Sequence, residues 1–400
     1  MKKIILLLQS ALVLTGFSSC IQDEPLNAEC DIVGVDSIWV KQQQEDGLLI
    51  GNPLVFNDRV SFIIRPDADR TALSPRFTLG AGVRLTALVD GTEMDANGIT
   101  RNFTTPQVYT THSEDGHWHK DYEVSFSPQK PITTLSFENY ELEKRQDGST
   151  GRYHVWYEID ETDVKDPRRN YWASGNSGYA FTGMGSTPQE YPTSAADNGV
   201  EGKCIKLVTC ATGSYGDTFK MPIAAGNLFI GEFNASVASL QPRKATKFGL
   251  PLVTERPVKL EGYYKYKAGD TFTDSKKKVR PELHDTADIY AVVYEINKDK
   301  FTPLNGDNVL TSKNIVLMAR IDKPVEFTGD MNDLAASEWV HFSEPFRLID
   351  GKEFSEERLR KSGYAIAIVM TSSRQGAYFE GAIGSTLYVD ELKVVYEGDE

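Results

Sequence analysis

Four aromatic and amide side chains lie close together near the middle of the sequence and could bind a sugar. Tyr171, Trp172, Asn176 and Tyr179 fall in a short stretch rich in Gly and Ser, which is typical of a loop. A flat aromatic ring can pack against the C–H face of a sugar, and an amide can hydrogen-bond its hydroxyl groups. The segment therefore predicts that Trp172, Asn176 and Tyr179 form one wall of a glycan site.

Arg256 is the charged residue expected beside this wall, because a planar guanidinium forms directional hydrogen bonds. Further candidates are Tyr263, Tyr264, Tyr266 and the segment 372–374. The alternative is that the aromatic residues only fill a hydrophobic core. That alternative stays open for Trp172 and is favoured for Tyr263 and Tyr266.

Glycoside hydrolysis would instead require two carboxylates about 5 to 9.5 Å apart across a cleft. The sequence contains 57 acidic residues and no acid–base motif, so it singles out no such pair. Glu232 and Glu380 come nearest to suitable candidates. No nucleophile elbow, phosphate-binding loop or dinucleotide fingerprint occurs in the sequence. The residues favour binding without catalysis, with a glycoside hydrolase as the second hypothesis and an adhesion or assembly protein as the third.

Residues 1–19 have the three parts of a secretory signal peptide. Lys2 and Lys3 give a positive start, a mostly apolar stretch follows, and two serines precede Cys20. The stretch is shorter than the roughly 20 apolar residues that a spanning helix needs. Residues 17–20 resemble the bacterial lipobox, which implies that Cys20 becomes the lipidated first residue and that residues 20–30 form a tether. An ordinary secreted protein is the alternative.

Residues 22–24 are similar to the export tag of surface lipoproteins from Bacteroidetes. This resemblance implies an outer-membrane lipoprotein that is exposed on the cell surface, with the periplasmic face as the alternative. The formal net charge of −14 argues against nucleic acid as a partner, because phosphate backbones would repel the chain.

The periodicity of the sequence predicts an all-β protein. Short runs of β-branched and aromatic residues recur about every ten residues and are separated by Gly, Pro, Asn and Asp, which is typical of antiparallel sandwiches. Examples are residues 60–64, 122–126, 290–294 and 364–370. One short helix is predicted from Ser355 to Lys361, with Ser355 as its N-cap.

A change of motifs near Ser136 predicts two domains. Residues 31–135 resemble the small immunoglobulin-like modules that precede functional domains in Bacteroidetes lipoproteins, which implies a β-sandwich spacer. Residues 136–400 contain seven motifs in a fixed order: Trp172–Asn176, Ala224–Phe229, Phe248–Pro251, Arg256–Pro257, Gly262–Tyr266, Asp288–Ala291 and Gly384–Leu392. In this order they resemble the motif series of the putative carbohydrate metabolism domain.

This family resemblance implies a larger jelly-roll β-sandwich related to carbohydrate-binding modules. In such sandwiches, segments like those holding Glu138 and Asp390 lie side by side and bind a structural Ca²⁺ through oxygen ligands. The alternative is that both residues only end neighbouring strands in solvent. Taken together, we expect a surface-tethered lipoprotein that binds glycans through its C-terminal domain during polysaccharide capture.

Overall fold

The structure is a computed structural model that describes residues 27–49, 52–65, 68–145, 149–159, 168–249, 251–296, 302–331 and 339–398. The predicted signal peptide and Cys20 lie outside the described residues. In the described part of the chain, no helix combines the length and the apolar composition that crossing a membrane requires.

The chain divides into two compact units. The small unit takes most of the residues before Pro128, and the large unit takes residues 128–400 together with 44–50 and 64–68. The division therefore falls ahead of Ser136, where the motifs change. Its physical reason is that Thr134 and Leu135 pair with a strand of the large unit at Lys393 and Leu392.

The small unit contains a six-stranded sheet, in the order β2-β3-β8-β7-β5-β6, with a separate β1-β4 ribbon. Its core contains stacked Phe62 and Phe126 rings, whose centroids are 4.3 Å apart. The elements are β1 (Ile32–Val35), α1 (Ser37–Glu45), β2 (Leu54–Val55), β3 (Arg59–Ile64), β4 (Phe77–Leu79), β5 (Arg84–Val89), β6 (Thr92–Asp95), β7 (Gln107–His112) and β8 (His119–Pro128).

The large unit contains a six-stranded and a seven-stranded sheet. The six-stranded sheet consists of β9 (Thr134–Leu135), β15 (Thr193–Asp197), β16 (Lys203–Val208), β21 (Pro257–Lys267), β25 (Val340–Pro345) and β29 (Thr386–Tyr396). The seven-stranded sheet consists of β14 (Trp172–Ala173), β19 (Asn227–Phe233), β20 (Thr246–Phe248), β23 (Asp288–Glu295), β24 (Ile315–Arg320), β26 (Arg347–Leu348) and β27 (Tyr364–Thr371).

Short ribbons and helices complete the large unit. The ribbons pair β10 (Tyr140–Lys144) with β11 (Thr150–Trp156), β12 (Glu158–Ile159) with β13 (Arg168–Arg169), β17 (Cys210–Ala211) with β18 (Ile223–Ala224), and β22 (Phe272–Thr273) with β28 (Gly381–Ala382). The α-helices are α2 (Asn176–Tyr179), α3 (Gly213–Phe219), α4 (Ala235–Ala238) and α5 (Glu356–Arg360).

The two large sheets pack face to face around one hydrophobic core. Alternate residues of the central strands, such as Ile289 and Ala291 of β23, point into this core. The residues between them, such as Tyr290 and Val292, belong to a second apolar cluster on the opposite face of the seven-stranded sheet. The prediction of an all-β sandwich fold is therefore confirmed.

Strand β29 is central to the six-stranded sheet. It pairs along its length with β21, while its other edge pairs first with β16 and then with β9. At the change of neighbour, Glu391 adopts a positive φ of 47°, and the register with β21 shifts opposite Asp390. This irregularity places Asp390 beside the turn that joins β15 to β16.

Candidate functional site

A cavity of about 360 Å³ lies over the face of the seven-stranded sheet that points away from the six-stranded sheet. Three adjacent strands contribute a polar row to its floor. Thr371 of β27 pairs with Asn227 of β19 on one side and with Asp288 of β23 on the other. An amide, a hydroxyl and a carboxylate therefore stand next to one another.

An apolar row runs directly beside the polar one. Val369, two residues before Thr371, pairs with Phe229 of β19 and with Tyr290 of β23. Residues two positions apart on a strand point to the same face, so both rows line the same cavity. The floor thus offers an apolar surface with hydrogen-bonding groups along one side of it.

Five segments of the chain form the walls. They are residues 175–182, 212–225, 233–248, 306–311 and 373–379, and each contributes lining residues. Two aromatic side chains near the mouth are largely exposed, Phe181 at 56% and Tyr378 at 50%. Exposed rings next to an apolar floor are typical of a site that binds a ligand with flat apolar faces.

Asp288 is held by arginine side chains. The Arg320 guanidinium donates hydrogen bonds to both carboxylate oxygens, with Nε 2.8 Å from Oδ1 and Nη2 2.6 Å from Oδ2. Arg374, which lines the cavity, places Nη2 3.6 Å from the same Oδ1. Burial raises the pKa of Asp288, while the hydrogen bonds from Arg320 act in the opposite direction. Each carboxylate oxygen of Asp288 therefore already accepts a hydrogen bond from the Arg320 guanidinium.

A second ion pair lies at the edge of the cavity. Nε of Arg243 is 2.7 Å from Oδ1 of Asp307. The same guanidinium lies over the ring of Tyr378, 5.0 Å from its centroid. Among the described lining residues, Asp288 and Asp307 are the two carboxylates, and each is paired with an arginine.

The structure places Trp172 in the core of the large unit. Its side chain is 5% exposed, its ring packs against Phe137, and its Nε1 donates a 2.7 Å hydrogen bond to Glu158. The segment is strand β14 and not a loop, because Trp172 pairs with Ile230 of β19. In this position the indole has no face directed toward a ligand, and it does not line the cavity.

Asn176 is also fully buried, and its side chain hydrogen-bonds to the backbone of Thr193. Its Nδ2 donates a 2.7 Å hydrogen bond to the carbonyl of Thr193, and its Oδ1 accepts a 3.1 Å hydrogen bond from the Thr193 backbone N–H. Strand β15, which contains Thr193, is at the edge of its sheet. The Asn176 side chain therefore takes the place of a neighbouring strand, and both of its amide atoms are engaged by protein.

Tyr179 and Arg256 have different surroundings. Tyr179 lines the cavity but is mostly buried, and its hydroxyl donates a 3.1 Å hydrogen bond to the carbonyl of Ala211. The Arg256 guanidinium lies 5.3 Å from the centroid of the Phe354 ring and is not among the cavity-lining residues. The structure does not bring Arg256 together with the 172–179 segment at this cavity.

The sequence analysis did not identify the floor of this cavity. Arg374, from the second-ranked segment 372–374, does line it. Asn227 and Asp288 stand at the beginnings of their strands within two of the family motifs, and that placement was the available signal. The position of Thr371 between them depends on strand pairing, which local sequence patterns do not specify.

Glu138 and Asp390 contact the same turn. Oδ2 of Asp390 accepts hydrogen bonds from the backbone N–H groups of Val200 and Glu201, at 2.6 and 3.3 Å. Oε1 of Glu138 accepts one from the N–H of Lys203, at 2.7 Å. Two segments far apart in sequence thus meet at residues 200–203.

One atom of this region bears on the predicted calcium. Oδ1 of the fully buried Asp390 has no hydrogen-bond partner among the described residues, and such an atom is costly unless something binds it. Burial raises the pKa of Asp390 to about 7. The described residues contain no cluster of three or more His, Cys, Asp or Glu side chains suited to a metal. A calcium ion here would therefore depend on Asp390, Glu138 and backbone oxygens.

The chain is similar in sequence to a known protein family and to solved structures. The sequence profile described as "Putative carbohydrate metabolism domain" matches residues 136–395. No curated protein matches the chain.

Two solved structures from Bacteroides species are similar to the chain. One, from Bacteroides thetaiotaomicron VPI-5482, is described as a putative glycoside hydrolase; it is 38% identical, with 94% of this chain and 99% of that chain covered and a TM-score of 0.62. The other, a putative glycoside hydrolase from Bacteroides vulgatus ATCC 8482, is 37% identical, covers 67% of this chain and 100% of that chain, and has a TM-score of 0.57. The chain belongs to the putative carbohydrate metabolism domain family.

Proposed function

We propose that this protein binds glycans in the cavity of its large unit and does not cleave them. The observation that carries the proposal is the pair of rows on the floor. Phe229, Val369 and Tyr290 supply an apolar surface for the C–H face of a sugar ring. Directly beside them lies the hydroxyl of Thr371, which can hydrogen-bond the sugar. Asn227 keeps one amide hydrogen and one oxygen lone pair beyond its hydrogen bonds with Gly175 and Ala225.

We prefer binding over hydrolysis because both carboxylates among the described cavity-lining residues are paired with arginine side chains. A glycosidase needs one carboxyl group that gives a proton to the leaving oxygen and a second that acts as nucleophile or base. Asp288 and Asp307 are each held by arginine. Glu232, named above as a hydrolase candidate, pairs with Lys247 at 3.0 Å, and neither it nor Glu380 lines the cavity.

We also propose that the protein is attached to the outer membrane through a lipid on Cys20 and faces the cell exterior. The support is the signal sequence and the acidic segment that follows it. In this arrangement the cavity would present captured polysaccharide at the cell surface. Two or more acyl chains would hold the protein stably, since one chain gives only marginal binding.

We further propose that Glu138 and Asp390 bind a structural Ca²⁺. The support is the unpartnered Oδ1 of Asp390 and the meeting of both carboxylates at the turn 200–203. A bound calcium would satisfy that oxygen and hold the turn between β15 and β16 against β29.

Replacing the exposed aromatic rings at the mouth of the cavity would test the proposal, because these substitutions leave the hydrophobic core intact. The chain without residues 1–19 and with Cys20→Ser would be screened on a glycan array, and the best ligand titrated by calorimetry. Tyr378→Ala and Phe181→Ala should each weaken binding about tenfold, the equivalent of about 1.4 kcal/mol. Trp118→Ala is the matched control, since Trp118 is an exposed aromatic residue of the small unit.

The outcomes separate the hypotheses. Loss of binding in the two mouth variants, with unchanged melting temperatures and a normal Trp118→Ala control, would support the site. Release of new reducing ends from the bound glycan, abolished by Asp288→Asn, would favour the glycoside hydrolase instead. No glycan retained by the array, or equal affinity for all four proteins, would contradict the proposed site.

A further inference from the structure

We infer that the cavity accepts the end of a glycan chain, one or two terminal sugar residues, and excludes the interior of a chain. This inference rests on the proposed function and concerns the same cavity. It follows from the way in which the five wall segments contact one another around the floor. A chain that binds through its interior needs a groove that is open at two sides.

The first contact joins the segment 175–182 to the segment 233–248. Gly178 lies so close to the ring of Phe233 and to Ala238 that a Cβ at position 178 would be 3.2 and 3.7 Å from them. The chain then continues from helix α4 to Arg243 without leaving the rim of the cavity. This side of the cavity is therefore a continuous wall.

Arg243 makes the next two contacts. Its carbonyl accepts a 2.7 Å hydrogen bond from the N–H of Gly306, and its guanidinium pairs with Asp307. The same guanidinium packs over the ring of Tyr378. One side chain thus connects three segments of the wall, those containing residues 243, 306–307 and 378.

The remaining contacts complete the circuit. Gly376 lies against Ala225, with no room between them for a side chain at position 376. Within the segment 212–225, the N–H of Thr212 donates a 3.3 Å hydrogen bond to the carbonyl of Pro222. The hydroxyl of Tyr179 donates a hydrogen bond to the carbonyl of Ala211. This bond joins the segment 212–225, at its start, to the segment 175–182, with which the ring of contacts began.

The described residues therefore surround the floor with a closed ring of contacts. The cavity inside this ring has a volume of about 360 Å³, which is near the lower limit of the range of about 300 to 1,000 Å³ for small-molecule sites. A closed wall lets a polymer enter from the mouth but not pass through. The ligand class that fits is the terminal part of a glycan, whether on a free chain or on a branch.

The experiment compares linear polysaccharides with their own fragments. Pullulan, linear mannan and homogalacturonan would each be tested intact and after partial acid hydrolysis to chains about tenfold shorter, at equal mass of sugar. Binding through chain ends should make half-saturation occur at about tenfold lower mass concentration for the fragments. Binding through the chain interior should give the same mass concentration for both.

A variant that opens the wall provides the internal test. Arg243→Ala removes the contacts with Asp307 and Tyr378, so the tenfold preference for fragments should fall toward one. Asp307→Asn removes only the ion pair with Arg243, and it would replace Arg243→Ala in this test if that variant fails to fold. Lys244→Ala is the matched control, because Lys244 is exposed on the same turn and does not line the cavity; it should keep the preference.

Two failures would be distinguishable. If intact and fragmented chains bind equally per unit mass, glycan binding stands and recognition of chain ends is refuted. If none of the six preparations binds and the glycan array also shows no ligand, the proposed function fails and the present inference fails with it.

Discussion

Asn176→Ala should destabilise the large unit by about 2 to 6 kcal/mol. The side chain satisfies two buried backbone groups of Thr193, its N–H and its carbonyl, on the open edge of β15. Each buried polar group left without a partner costs about 1 to 3 kcal/mol. Alanine can supply neither hydrogen bond, and Thr193 is itself fully buried, so little water is available to replace them.

Urea unfolding monitored by tryptophan fluorescence would measure this change, because Trp156 and Trp172 are buried in the same unit. The midpoint should fall while the slope with urea stays constant, which would assign the effect to the folded state. Asn314→Ala is the control, since Asn314 is an exposed amide of the large unit; its effect should stay within about 0.5 kcal/mol.

The opposite pattern would refute this reasoning. If Asn176→Ala changes the free energy of unfolding by less than about 1 kcal/mol but abolishes glycan binding, the amide contacts a ligand. That result would restore the role predicted from sequence for Asn176. A destabilised variant whose remaining folded fraction binds glycan normally would instead support the structural role.

Four further perturbations have expected outcomes. Cys20→Ser should move the protein from the membrane to the soluble fraction, and a membrane-bound variant would contradict lipidation. EDTA should lower the melting temperature by several degrees, since a ligand at 100 times its Kd stabilises by about 2.7 kcal/mol; Asp390→Asn should not respond, and an EDTA effect of the same size in that variant would place the ion elsewhere. Burial raises the pKa of Glu158 to about 7 from 4.5, so its neutral form is favoured in the fold. Its contribution to stability is complete below pH 4.5 and is lost as the pH rises through 7, by up to about 3 kcal/mol, and Glu158→Gln should flatten the stability profile over this window. Gly226→Ala should destabilise by about 1 to 3 kcal/mol, because a Cβ there would collide with the backbone of Pro192 and Val208; unchanged thermal stability would show that the backbone can move aside.

Local signals in the sequence were sufficient for individual elements. The predicted helix from Ser355 is found at Glu356–Arg360, with the Ser355 hydroxyl accepting a hydrogen bond from the N–H of Arg358. The strand predicted over residues 290–294 lies within β23. Caps, β-branched runs and turn residues act over a few positions, so they can be interpreted without knowing the fold.

The candidate site depends on contacts that local signals do not contain. Trp172 stands in a stretch rich in Gly and Ser, yet it becomes a core residue because it pairs with Ile230. The polar row exists because Asn227, Thr371 and Asp288 fall into the same register on three strands. A shift of one residue in any of these strands would turn its side chain to the opposite face.

The position of β29 also has a consequence for the order in which the large unit can fold. The strand is synthesised after the other strands of its sheet, yet it lies between β21 on one edge and β16 and β9 on the other. Until residues 386–396 have emerged, the sheet lacks its middle and the two-layer core cannot close. The large unit can therefore complete its core only after this strand has left the ribosome. Truncation before Thr386 should therefore leave a protease-sensitive product.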